Sequence, residues 1–135
     1  LTVVVDTNVL ISGIFFTGPP NRILQACMAG KLDIVISPET LVEYRRVADE
    51  LADRLPGTEI SRLLDLITVQ ALICDAPSLP IQVCDDPDDD KFLACALASG
   101  AQIIVSGDKA LLRLDGYRGI SVLTPRRFVD HHLET

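Results

Sequence analysis

Short apolar runs rich in β-branched residues recur along the chain, and stretches of helical period separate them. Leu1–Val5 reads as a strand covered on both faces, and Leu32–Ile36, Val69–Cys74, Gln102–Ser106 and Ile120–Leu123 read as four further strands. Asn8–Phe16, Asn21–Ala29 and a segment from Ser37-Pro38 to about Leu55 read as helices, with Ser37 as N-cap and Pro38 at N1. Pro56-Gly57 ends the third, and Thr58 or Glu59 opens another that reaches about Leu66. Asp86-Pro87 starts the next helix, closed by Gly100, before a short turn at Lys109–Leu112 and a last helix over Pro125–Leu133. Such alternation predicts an α/β fold with a mainly parallel sheet and helices on both faces. With 135 residues, 48% of them apolar, the expectation is a single domain over residues 1–135.

Composition narrows the function classes. The formal charge is −7, from 12 basic and 19 acidic side chains, which opposes a large electrostatic footprint on nucleic acid. Cys27, Cys74, Cys84 and Cys95 lack Cys-x-x-Cys spacing, so buried thiols in a reducing cytoplasm are expected rather than a zinc site. No run approaches the roughly 18 apolar residues of a membrane span, and no secretory signal is visible. A cytoplasmic protein with no membrane partner is expected.

Open parallel sheets bind ligands beyond the carboxyl ends of their strands. Asp6 ends the first strand and Asp108 follows the fourth, so both belong at that edge. Each also has an ordinary role, as a helix N-cap for Asp6 and a turn or cap residue for Asp108. Among Asp85, Asp86, Asp88, Asp89 and Asp90, periodicity favours Asp90, which shares a face with Leu93, Ala94 and Leu97. Asp88 and Asp89 then point elsewhere, and Asp86, as N-cap, lies near the site at most. An Asp on a buried stripe is costly unless paired or bound to metal. Glu43 only flanks the stripe of Tyr44, Val47, Ala48 and Leu51, a position that suits a solvated face. Carboxylates gathered at one edge repel each other, and a divalent cation offsets that repulsion. Setting four such acids aside leaves 15 acids against 12 bases, a surplus of only three. Lys91 and Lys109, each directly after a candidate acid, are candidate phosphate contacts.

Three stretches together resemble the PIN-domain ribonucleases. Val3-Val4-Val5-Asp6-Thr7-Asn8-Val9 is similar to the family's opening motif. Asp90-Lys91-Phe92-Leu93-Ala94-Cys95-Ala96 is similar to its third-acid helix. Ile104-Val105-Ser106-Gly107-Asp108 is similar to its fourth-acid motif, with a Ser or Thr two before the Asp. Their order and spacing span almost the whole chain. The resemblance implies a three-layer α/β/α sandwich with a five-stranded parallel sheet. It implies that Asp6, Glu43, Asp90 and Asp108 form an acidic quartet binding Mg²⁺ or Mn²⁺, with Asn8 and Ser106 in support. Glu43 enters the quartet mainly through it. The Asp-Pro-Asp-Asp-Asp-Lys-Phe-Leu stretch resembles a bacterial and archaeal subgroup of toxins from toxin–antitoxin pairs, implying an RNA substrate, an antitoxin partner and a homodimer.

The expected chemistry is metal-dependent hydrolysis of RNA phosphodiester bonds. A haloacid-dehalogenase-type phosphatase is the alternative, but that chemistry wants Asp-x-Asp where this chain has Asn8. A receiver-like interaction module is a second alternative. It needs an acidic pair after the first strand and an Asp after the third, where only Asp75 stands.

Overall fold

Val3, Val4 and Val5 are completely buried in a computed structural model that describes residues 1–55 and 59–133. They belong to β1 (Thr2–Val5), the central strand of a five-stranded sheet. The others are β2 (Asp33–Ile36), β3 (Leu72–Ile73), β4 (Ile103–Val105) and β5 (Ser121–Leu123). Their spatial order is β3-β2-β1-β4-β5, and every neighbouring pair is parallel. Helices cover both faces in a three-layer α/β/α sandwich, as the strand–helix alternation predicts. The order reverses at β1, so the edge beyond β1 and β4 is a topological switch point.

The helices are α1 (Thr7–Phe15), α2 (Pro19–Met28), α3 (Pro38–Arg54), α4 (Ile60–Gln70), α5 (Asp90–Ser99), α6 (Lys109–Leu112) and α7 (Pro125–Phe128). α3 opens with a reciprocal cap. The Thr40 amide donates to Ser37 Oγ at 3.2 Å, and the Ser37 amide donates to Thr40 Oγ1 at 3.0 Å. Gly100 ends α5 at φ 77°, the left-handed conformation that glycine adopts without strain. After α7 the chain widens into a π-helical turn over Val129–Leu133. Cys27, Cys84 and Cys95 are buried, Cys74 is half-buried, and all four are free thiols.

Two boundaries differ from the sequence expectation. α4 continues to Gln70, so Val69 and Gln70 are helical and β3 is only two residues long. Ile60, Leu64 and Ile67 supply an unbroken buried stripe, and Thr68 donates to the Leu64 carbonyl at 2.8 Å, which carries the helix past its β-branched residues. The chain also enters α5 through a 3₁₀ turn, Pro87–Asp89, rather than as one helix from Asp86-Pro87. The expected stop at Pro56-Gly57 and start at Thr58 lie outside the described residues.

Candidate active site

Asp6 leaves β1 with its amide donating to the Val105 carbonyl at 2.9 Å, which ties it to the end of β4. It sits at the N-cap position of α1, yet its side chain makes no capping bond. Instead Asp6 Oδ2 accepts from the Ser106 hydroxyl at 2.7 Å. Ser106 Oγ in turn accepts the Asp108 amide at 3.0 Å, so one fully buried hydroxyl sets two acids. Asp6 is only 7% exposed. Burial pushes its carboxyl up, the Ser106 hydroxyl and Thr7 amide oppose that, and the nearby charges of Glu43 and Asp108 reinforce it. Asp108 is exposed and caps α6, accepting the Ala110 amide at 3.1 Å.

Asp89 joins these acids. Its carboxyl is pushed up to about 7, first by burial, then by the charges of Asp6, Asp108 and Asp86 and by a hydrogen bond with Asp108. Asp86 caps the 3₁₀ turn, accepting the Asp88 amide at 3.0 Å, and faces the same cleft.

Glu43 reaches the cleft from α3. The fully buried Tyr44 hydroxyl donates to the Val5 carbonyl and fixes α3 against the end of β1. Both Glu43 oxygens are engaged: Oε2 accepts from the Thr7 hydroxyl, and Oε1 lies 2.8 Å from Lys91 Nζ. The helical phase that suggested a solvated face for Glu43 is thus overruled by partners on α1 and α5. Lys91, the candidate phosphate contact, is paired with Glu43. Lys109 is exposed beside Asp108, and Asn8 is exposed at the rim.

Asp6, Glu43, Asp86, Asp88, Asp89 and Asp108 line one open cleft of about 320 Å³. Asp90, which the sequence expectation places with them, is not in the lining of this cleft. Its carboxylate turns to the 82–84 loop, accepting the Cys84 amide at 2.7 Å and the Val83 amide at 3.2 Å. Asp90 lines a separate cavity of about 250 Å³ with Glu39 and Ser78. The apolar stripe correctly turned Asp90 inward, but inward is the side of that loop. Asp89, one residue earlier at the end of the 3₁₀ turn, faces the sheet edge. Thr7 was also missed, and its place between Asp6 and Asn8 carries no sequence signal of a bond to α3.

The donors that face the cleft are carboxylate oxygens, the ligand type of Mg²⁺ and Mn²⁺ rather than of a thiolate-bound metal. Among the described residues, no three or more His, Cys, Asp or Glu side chains are placed so as to hold a metal ion together. The fit therefore rests on donor chemistry and on the crowded charge at Asp6, Asp89 and Asp108.

Residues 2–110 match the sequence profile of the PIN domain, and the chain belongs to the PIN-domain family, a family of nucleases. It is 34% identical over 143 residues to the uncharacterized protein MJ1680 of Methanocaldococcus jannaschii, across 96% of this chain and 90% of that protein. Its fold is similar to a chain of VapBC2 from Rickettsia felis, solved bound to a DNA fragment from the promoter. That match has a TM-score of 0.56 at 16% identity and covers 91% of this chain and 97% of the other.

Proposed function

We propose that this chain is a single-domain, metal-dependent endoribonuclease that hydrolyses RNA phosphodiester bonds, and that it is the cytoplasmic toxin of a toxin–antitoxin pair. The observation that carries the reading is the meeting of Asp6, Asp89 and Asp108 in one cleft at the switch point. Structure alone gives no reason to hold three carboxylates there at the cost of a strained titration. The fold's likeness to VapBC2, a complex solved on its promoter DNA, supports the antitoxin part of the proposal. A homodimer adds the surface that one small acidic subunit lacks.

Asp6, Asp89 and Asp108 would hold Mg²⁺ or Mn²⁺, with Glu43 on the cleft wall. When bound, the cation supplies charge that stabilises the phosphate oxygens and makes water a better nucleophile near neutral pH. Ser106 keeps Asp6 and Asp108 in register, so little reorganisation is needed when substrate arrives. Asn8, Arg46 and Lys109 would orient the RNA backbone along the rim. In-line attack by water leaves a 5′-phosphate and a 3′-hydroxyl, and the 2′-hydroxyl takes no part. The phosphatase alternative gains nothing, because position 8 is an exposed asparagine with no proton to transfer. The receiver alternative fares no better, since Asp75 follows the edge strand β3, two strands from β1.

The test is cleavage of RNA in Mg²⁺ or Mn²⁺ by the wild type and by Asp6→Asn. Loss of at least 100-fold in the variant, with its circular dichroism retained, is expected. Equal cleavage by both proteins, or undiminished cleavage in excess chelator, would overturn the reading.

A further inference from the structure

Glu43 differs from Asp6, Asp89 and Asp108 in what answers its charge. Glu43 has an ammonium against Oε1 at 2.8 Å and the Thr7 hydroxyl against Oε2, so its charge is already answered within the chain. Lys91 and Glu43 keep side-chain exposures of only 23% and 14%, so bulk water screens the pair weakly. The partners stand on different elements, α5 and α3, and the pair is a tertiary tie rather than a helix-surface one. Asp6 accepts from the Ser106 hydroxyl and Asp108 from the Ala110 amide, but among the described residues no cationic side chain is paired with Asp6, Asp89 or Asp108. Their charge remains unanswered.

We propose that Lys91 is a positioning residue, the built-in counter-cation of Glu43, and that it stands where a second divalent ion would otherwise be needed. The cleft then takes one divalent ion, on its Asp6–Asp89–Asp108 side. The identity of the ion rests on the nuclease reading; the role of Lys91 rests on the geometry. A two-ion site needs cations roughly 3.5–4 Å apart, each with carboxylate oxygens to spare. A second ion at Glu43 would sit beside the Lys91 ammonium on the same carboxylate, cation against cation. The role also replaces the phosphate contact that the sequence suggests for Lys91.

Titration of metal-free protein with MnCl₂, with unbound Mn²⁺ counted by electron paramagnetic resonance, tests this directly. One ion per chain is expected for the wild type and for Glu43→Gln, and at least tenfold weaker binding for Asp89→Asn. Lys91→Met, which leaves Glu43 unanswered, is expected to take a second ion. Two ions in the wild type with one lost in Glu43→Gln would make Glu43 a ligand and overturn the proposal. A single ion in Lys91→Met would overturn it as well. If Lys91→Met fails to fold, the wild-type and Glu43→Gln counts decide. Two ions with RNA cleavage intact sinks only this inference, whereas no ion and no cleavage sinks the nuclease reading with it. In steady-state kinetics Lys91→Met should lower kcat with KM within twofold. A tenfold rise in KM at unchanged kcat would instead mark a phosphate contact.

Discussion

The Ser106 hydroxyl donates to Asp6 and accepts from the Asp108 amide, so its removal frees two acids at once. Ser106→Ala should lower kcat by about 10- to 100-fold, the range seen when an outer partner of a metal ligand is lost. Ser106→Thr, which keeps the hydroxyl, should restore most of it. Asp89 and Asp90 make a sharper pair. Asp90→Ala leaves the amides of Val83 and Cys84 without their acceptor, a loss of about 1–3 kcal/mol per unsatisfied buried group. It should therefore lower Tm while cleavage stays within about threefold, whereas Asp89→Asn should abolish cleavage; the reverse pattern would return the role to Asp90. Asp89 also carries a pH signature. Its carboxyl rises from an unfolded value near 4 to about 7 in the folded chain, so the unfolded state holds fewer protons between those values. Stability of the metal-free protein is thus expected to fall as pH rises from about 4 to about 7. Asp89→Asn should flatten that fall and have the higher Tm at pH 8 in chelator, read by differential scanning calorimetry.

Elements set these side chains in place, and here the sequence was readable in some parts and opaque in others. β1 and β4 were legible because an apolar run has few alternatives, and a residue just past a strand end must lie at the sheet edge. Asp6 and Asp108 followed from that rule, and Ser106 entered through the family resemblance. The start of α3 was equally legible, because Ser37-Pro38 fixes a cap and a first turn by local chemistry. Asp89 was not, since the 3₁₀ turn ahead of α5 advances three residues per turn and breaks the phase of an α-helix carried back from Leu93. Glu43 was not, because its partners Thr7 and Lys91 lie 36 and 48 residues away. One helix contact should be sensitive to a single carbon. A Cβ at Gly13 would fall 2.7 Å from Leu24 Cδ1 and 2.8 Å from the Pro20 carbonyl oxygen, where α1 meets α2. Gly13→Ala should destabilise by about 1–3 kcal/mol in urea unfolding despite alanine's better helix propensity.

At the scale of the whole molecule, β1 cannot finish its pairing until β4 exists, and Val5 lies opposite Val105. Asp6, Glu43, Asp89 and Asp108 are separated in the chain by nearly as much as the sheet is. Contacts of that separation close late, after local helices have formed. A ribosome making this protein would thus extrude most of it before the cutting edge could assemble. On the proposed reading of an RNA hydrolase, that delay would be a safeguard: the half-made polypeptide would leave intact the messenger still threading the machine that reads it.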